Sequence, residues 1–131
     1  MNDELFERGL AVRKSVLGAE YVEKSIASAD DFTKPLQRLV TEYCWGAVWG
    51  RDELPKKIRS IINIALLSTL NRPHELKIHV KGAIRNGVTK EEIREVLLHV
   101  GIYSGIPAAV DSFRVAKEAL AELEKEGGAK K

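Results

Sequence analysis

Glu75 and His79 are the first pair of residues whose types and spacing could do chemistry. They stand four positions apart in a stretch that otherwise has the pattern of an amphipathic helix. At roughly 100° per residue, side chains four apart lie about 40° apart around a helix and stack along one edge. An imidazole with a reference pKa of about 6.5 suits proton transfer near neutral pH. The pair therefore indicates acid–base chemistry, and the alternative, a half-exposed contact between two turns, stays open.

A second edge of the same kind follows, with Glu95, His99 and Tyr103 successively four apart. If the two helices pack as an antiparallel pair, His79 and His99 approach one another, and two histidines with a carboxylate match a metal-ligand set. The spacing is not the H-E-x-x-H zinc pattern, however, and His74 lies about 140° from His79 around the helix. We therefore predict no metal site.

Two tryptophans and two arginines form a second candidate group. Trp45, Trp49 and Arg51 share the segment "WGAVWGR", and Arg59 begins the apolar helix that follows. Aromatic walls with guanidinium groups suit a flat ligand that carries carboxylates. The alternative is that the tryptophans anchor a core and the arginines form ion pairs. Arg59 favours the site, because an arginine on an apolar helix needs an anionic partner.

The segments that carry these residues are all predicted to be helices. Prolines open several of them, and Thr89 with Glu92 forms a capping box. No segment alternates with a period of two for long enough to predict a strand. The predicted helices are Asp3 to Val16, Ala19 to Ser28, Pro35 to about Trp45, Pro55 to Asn71, Pro73 to Asn86, one after Thr89, and a long one from Pro107. We predict an all-α fold of six or seven helices.

The apolar stripes of these helices predict which sides are buried. Leu76, Val80, Ala83 and Ile84 put the edge with Glu75 and His79 at the rim of the core. The helix from Pro55 is apolar nearly all round beyond Arg59, so we predict that it is central and buried. In the next-to-last helix we predict a buried stripe formed by Ile93, Val96, Leu97, Val100 and Tyr103.

Length, composition and charge define the class of protein. The chain has 131 residues, of which 44% are hydrophobic and 31% charged, and its formal net charge is +2. We predict one globular domain over residues 1–131, with a frayed tail from about residue 126. The balanced charge gives no nucleic-acid footprint, and the most apolar run, Ile61 to Leu70, is too short to cross a membrane. With no signal-peptide pattern, we expect a cytoplasmic location.

Cys44 is the only cysteine, and we predict that it is a small buried hydrophobe.

The chain as a whole resembles the 4-carboxymuconolactone decarboxylases of the alkylhydroperoxidase D-like superfamily. The matching stretches include "RGLAVRKSVLG", "WGAVWGR", "RSIINIALLSTLNRPHELKIHVKGAIRNGVTKEE" and "GIYSGIPAA". The resemblance implies a helical subunit of a ring-like homo-oligomer, a hexamer or a trimer, with active sites near subunit contacts. It also implies a cofactor-independent decarboxylation of 4-carboxymuconolactone to 3-oxoadipate enol-lactone in protocatechuate catabolism. The peroxidase branch uses a Cys-x-x-Cys pair before the histidine that matches His79, and this chain has none.

The resemblance also implies roles for the candidate residues. His79 would donate the proton, with Glu75 orienting it or relaying the proton. Arg51 and Arg59 would hold carboxylates. His99 with Tyr103 would offer hydrogen bonds to the lactone oxygen, and Trp45 and Trp49 would wall the pocket. Two alternatives stay open: a non-catalytic oligomeric binding protein on the same scaffold, and an enzyme for another small carboxylated lactone or acid.

Overall fold

The structure, a computed structural model, describes residues 2–129, and within them every regular element is helical. The all-α prediction is confirmed. The chain divides into two compact units, one ending at Lys56 and the other beginning at Lys57. The helices are α1 (Asp3–Leu17), α2 (Ala19–Ala27), α3 (Lys34–Leu39), α4 (Lys56–Thr69), α5 (Pro73–Arg85), α6 (Lys90–Tyr103) and α7 (Ile106–Ala129), and α3 continues directly into a π-helix (Val40–Val48). None of the helices in the described part of the chain is long and apolar enough to cross a membrane.

Local capping signals place several helix ends where the sequence predicts them. Asn2 caps α1 by accepting a hydrogen bond from the amide of Leu5 (2.9 Å). At α6 the Thr89 hydroxyl accepts from the amide of Glu92 (3.0 Å), and the Glu92 carboxylate accepts from the amide of Thr89 (2.9 Å). Just beyond α5, Gly87 has a φ of 90°, a conformation that glycine adopts at little cost. The capping box is therefore confirmed.

In the first unit, α1 packs closely against the π-helix through glycines. A Cβ on Gly9 would lie 1.9 Å from the carbonyl oxygen of Thr41, so only glycine permits this approach. The amide of Trp49 donates to the carbonyl of Cys44 (2.9 Å), the longer repeat that defines a π-helix. The helix therefore continues to Val48, past the predicted end near Trp45; it carries Trp45, and Trp49 follows as its C-cap residue.

Two charged side chains are buried in this first unit. The Glu42 carboxylate accepts a hydrogen bond from the amide of Asn2 (2.6 Å) and lies 3.2 Å from the Arg38 guanidinium. Arg13 donates to the side chains of Gln37 (2.9 Å) and Thr41 (3.2 Å). These contacts join α1 to α3 and the π-helix, and they give the Glu42 carboxylate and Nη1 of Arg13 the partners that buried polar atoms need. Cys44, by contrast, is exposed. The buried prediction for it is wrong, because the buried side of the π-helix runs through other positions.

In the second unit, α5 and α6 both pack on α7 around one apolar core. The core consists of aliphatic side chains from four helices and the α5–α6 connection: Ile64, Leu76, Val80, Ala83, Val88, Ile93, Leu97, Val115, Ala116 and Ala119. Lys81 of α5 lies 2.9 Å from the carboxylate of Glu122 on α7, at the edge of this core. The predicted core stripe of α5 is therefore confirmed, and it determines which side of α5 faces inward.

Two burial predictions for this unit are wrong. On α4 only the stripe of Ser60, Ile64 and Ser68 is buried, whereas the apolar side chains of Ile58, Ile62 and Leu66, and of Leu70 just after the helix, are exposed. Tyr103, predicted in the buried stripe of α6, is 79% exposed. It is the last residue of α6 and lies about 80° around the axis from Ile93, at the margin of that stripe. In this single chain both helices therefore keep an uncovered apolar side.

Candidate functional site

His79 lies on α5 at the rim of the second unit's core. Its neighbours Leu76 and Val80 are buried, and the imidazole itself is half-buried. Burial disfavours the charged form and lowers the pKa of His79 to about 4, while the Glu75 carboxylate opposes part of this shift. At pH 7 the ring in the free protein is therefore neutral. The ordinary histidine pKa of 6.5 does not hold in the folded chain.

A residue of α4 reaches the His79 ring. The amide nitrogen Nδ2 of Asn63 lies 3.5 Å from Nδ1 of His79, at the outer limit of a hydrogen bond. Sequence reasoning missed Asn63. The feature of the sequence that could have indicated it is a single amide side chain inside the apolar run "IINIALL", one helical turn after Arg59. Arg59 is half-buried on the same side of α4.

Glu75 is exposed, one turn before His79 on α5. Its negative charge acts on the imidazole through space and favours the protonated form. The predicted pairing of Glu75 with His79 along one edge of α5 is thus present as an electrostatic interaction. A carboxylate in this place can help a buried imidazole to accept a proton.

His99 and Tyr103 form a separate pair on α6. Their rings stack with centroids 4.7 Å apart and planes inclined by 22°. Both residues are exposed, so the two histidine-bearing edges have different environments. No group of three histidine, cysteine or carboxylate side chains in the described part of the chain could hold a metal ion.

Trp45, Trp49 and Arg51 belong to the first unit, on and just after the π-helix. The two indole rings lie 4.8 Å apart with planes inclined by 33°. They are only 3% and 4% exposed, as core anchors are. Arg51 is exposed and lies 3.6 Å from the carboxylate of Glu53. The structure therefore brings Trp45, Trp49 and Arg51 into one segment, and it brings His79, Glu75 and Asn63 together in the second unit.

A wide groove of about 870 Å³ runs between α6 and α7 in the second unit. Its floor includes Leu97, Phe113 and Leu120, and its rim includes Arg94 and Lys117. None of the residues that line it belongs to the predicted site. The groove is open and its lining carries no histidine, so its size alone does not make it a site of proton transfer.

Comparison with known proteins gives a consistent result. Residues 34–118 match the model of the carboxymuconolactone decarboxylase family. The chain is 42% identical over 130 residues to nitrosuccinic acid decarboxylase of Metarhizium robertsii, an alignment that covers 96% of this chain and 91% of that protein. It is 40% identical over 124 residues to 4-carboxymuconolactone decarboxylase of Acinetobacter baylyi, covering 94% of this chain and 92% of that protein. Both relatives are decarboxylases by name, and both align over nearly their full length.

Proposed function

The chain belongs to the carboxymuconolactone decarboxylase family, and on that basis we propose that it converts 4-carboxymuconolactone to 3-oxoadipate enol-lactone without a cofactor. The enzyme is a carboxy-lyase. The observation that carries the proposal is the similarity, over 94% of the chain, to a 4-carboxymuconolactone decarboxylase. The half-buried imidazole of His79, between Asn63 and Glu75, provides the proton-handling group that this reaction needs.

The substrate supplies its own electron sink. When the bond between the γ-carbon of the lactone ring and its carboxylate breaks, CO2 leaves and the electron pair moves through the ring alkene to the lactone carbonyl. The resulting dienolate is then protonated on the α-carbon of the ring. Because the ring carries the electrons, the reaction needs no pyridoxal, thiamine, flavin or metal. The protein has to bind a dianion, stabilise the dienolate and deliver one proton.

His79 delivers that proton. The ring is neutral in the free protein, because burial lowers its pKa to about 4. A bound carboxylate close to the imidazole favours the charged form, as the Glu75 carboxylate already does in part. Binding of the dianionic substrate therefore raises the pKa of His79, and a proton that the ring takes from solvent passes to the α-carbon. Since the overall reaction consumes one proton, solvent restores the balance after each turnover.

Arg59 and Arg51 are the predicted groups that bind carboxylates of the substrate. Arg59 lies on the same side of α4 as Asn63, and Arg51 is exposed in the first unit. An Arg51→Ala variant should mainly raise KM, and an unchanged KM would make Arg51 structural. The predicted pocket wall is not assigned to Trp45 and Trp49, because both indoles are buried as core anchors of the first unit; they hold the segment that carries Arg51.

His99 and Tyr103 donate hydrogen bonds to the lactone oxygen in the assembled protein. They are exposed in the single chain, so this role requires that a second subunit cover them.

The enzyme works as a ring-like homo-oligomer, a hexamer or a trimer. Large apolar side chains are exposed along α4 and along α6 and α7, and such surfaces usually mark an interface. They are Ile58, Ile62 and Leu66 on α4, Leu70 just after it, and Leu98, Ile102, Ile106 and Val110 on α6 and α7. Light scattering should give a mass that is a multiple of 14.6 kDa. We place the enzyme in the cytoplasm, with a small carboxylated lactone as its binding partner.

Nitrosuccinate is a second candidate substrate, because the chain is 42% identical to a nitrosuccinic acid decarboxylase. A nitro group on the carbon that loses CO2 accepts the electron pair as a lactone carbonyl does. Both substrates carry two carboxylates, so the same arginines and His79 would serve either one.

A coupled ultraviolet assay decides between these functions. Purified protein is given enzymatically generated 4-carboxymuconolactone, with and without a chelator, and nitrosuccinate in parallel. Turnover of the lactone that survives chelation supports the proposal. Turnover of nitrosuccinate alone would replace the substrate, and binding of the lactone without turnover would make the chain a binding protein.

A further inference from the structure

Asn63 is a polar residue in an apolar part of α4. Its neighbours in the chain are Ile61, Ile62 and Ile64, and the side chain is half-buried. An amide in such a place is destabilising unless it forms hydrogen bonds. Nδ1 of His79 is the partner that the structure places beside its amide nitrogen, at 3.5 Å. The proposed decarboxylation gives Asn63 no part, so its position calls for an explanation.

We propose that Asn63 is a positioning residue, which holds Nδ1 of His79 so that Nε2 is the nitrogen that passes the proton to the substrate. The proposal rests on the proposed function for the identity of the reacting group. A neutral imidazole carries its proton on only one nitrogen, and the hydrogen bond made by the other nitrogen selects which one. With the amide nitrogen facing Nδ1, that atom accepts a hydrogen bond and the proton lies on Nε2.

An amide suits this position better than other side chains, because it can serve both charge states of the ring. In the free protein the NH2 group of Asn63 donates to Nδ1 of the neutral ring. After substrate binding protonates the ring, a half-turn of the amide presents its oxygen, which accepts from Nδ1–H. Nε2 carries a proton in both states. When Nε2 gives its proton to the substrate, Nδ1–H remains bonded to the amide oxygen. Solvent reprotonates Nε2, and Nδ1–H returns its proton to solvent as the product leaves, so that each turnover consumes one proton.

The charged groups near this pair do not supply the same control. Glu75 acts on the His79 ring from its own helix, α5, as a negative charge. Arg59 lies one turn before Asn63 on α4 and carries a positive charge. The Glu75 charge shifts the balance between the neutral and the protonated ring. A charge acting through space does not choose between the two nitrogens of a ring as a directional hydrogen bond does.

Asn86 offers a matched control on the same pair of helices. Its amide nitrogen donates to the Ser60 hydroxyl of α4 (2.9 Å), so it links the end of α5 to α4 as Asn63 links α4 to His79. A purely structural asparagine between α4 and α5 should behave as Asn86 does. Only the residue that positions the imidazole should change the protonation pattern of His79.

Nitrogen-15 NMR of the labelled full-length protein at pH 7 tests the proposal. The signals of His79 are assigned by their loss in a His79→Asn variant. We expect the Nε2–H tautomer in the wild type, a mixture of tautomers in Asn63→Leu, and the Nδ1–H tautomer in Asn63→Asp, because a carboxylate can only accept. Asn86→Ala should leave the wild-type pattern.

The same variants give a kinetic readout. Asn63→Leu should lower kcat roughly 10- to 100-fold, the usual cost of a misplaced reacting group, with KM within about threefold of the wild type. Asn86→Ala should keep wild-type kcat. If Asn63→Asp does not fold, the wild-type and Asn63→Leu spectra still decide the matter.

A wild-type Nδ1–H tautomer, or an unchanged tautomer in Asn63→Leu, would overturn the proposal even in an active decarboxylase. If instead the expected tautomers are found but no lactone is turned over, the proposed function fails while the positioning of His79 by Asn63 stands. The two failures are therefore distinguishable.

Discussion

The edges of α5 and α6 that carry Glu75–His79 and Glu95–His99 have the same spacing and different environments. On α5 the imidazole lies between buried neighbours and has a pKa of about 4. On α6 the imidazole is exposed and stacks on Tyr103. The difference comes from the angle between each edge and the core stripe of its helix. A four-residue spacing therefore indicates a possible pair, and the packing of the helix decides whether that pair can do acid–base chemistry.

The largest expected effect separates the two histidines directly. His79→Asn removes the proposed proton donor and should lower kcat on 4-carboxymuconolactone roughly 100- to 10,000-fold, the range typical of general acid–base groups. His99→Asn should lower it less than about tenfold. Circular dichroism and light scattering would check that both variants keep their fold and assembly. Equal losses in the two variants would remove the distinction between the edges.

The next largest effect is expected on KM, from substitution of Arg59 compared with Arg94. Arg59→Ala should raise KM roughly 10- to 100-fold, because a charge-assisted hydrogen bond to a carboxylate contributes about 1.5–3 kcal/mol. Arg94, which lies 3.2 Å from Glu95 on the exposed edge of α6, is the matched control. Steady-state kinetics of Arg94→Ala should give a wild-type KM. A normal KM for Arg59→Ala would show that α4 does not bind substrate.

Acid should destabilise the protein through His79. The pKa of His79 is about 4 in the folded chain and about 6.5 when unfolded. Between these values the unfolded chain binds a proton that the folded chain does not, so the free energy of unfolding falls as the pH drops below about 6.5 and levels off near pH 4. This loss should be on the order of 2 kcal/mol between pH 7 and pH 5.

Urea unfolding of wild type and His79→Asn, at matched protein concentration, would measure this effect. Removing the imidazole should remove that part of the pH dependence, while His99→Asn should retain it. An identical pH dependence in wild type and His79→Asn would mean that His79 is not buried as a neutral ring.

The smallest effect concerns the carboxylates beside the two histidines. Glu75 favours the protonated form of His79, so Glu75→Gln should lower the pKa of His79 further and reduce kcat by about three- to tenfold. Glu95→Gln, the equivalent change on α6, should alter kcat by less than about twofold. If both changes have the same effect, Glu75 has no specific influence on the reaction.

Local signals explain what could be predicted from the sequence. Pro73, Thr89 and Glu92 mark helix ends through contacts within a few residues, and the stripe of Leu76, Val80 and Ala83 correctly placed His79 at the rim of the core. Asn63 could not be assigned in this way, because its partner belongs to another helix. The close approach of α1 to the π-helix at Gly9 is also a contact distant in sequence, so no local signal predicts it. The exposure of Tyr103 could not be predicted, because it lies at the margin of the apolar stripe and only the packing of α6 decides whether that margin is buried.

The central claim is that His79 is neutral in the free enzyme and gains a proton when the dianionic substrate binds. Calorimetry of an unreactive saturated lactone with the same two carboxylates, repeated in buffers of different ionisation enthalpy, measures that proton. At pH 7 we predict a proton uptake on binding in the wild type that is absent in His79→Asn. Binding of this ligand to the wild type with no proton uptake would contradict the account.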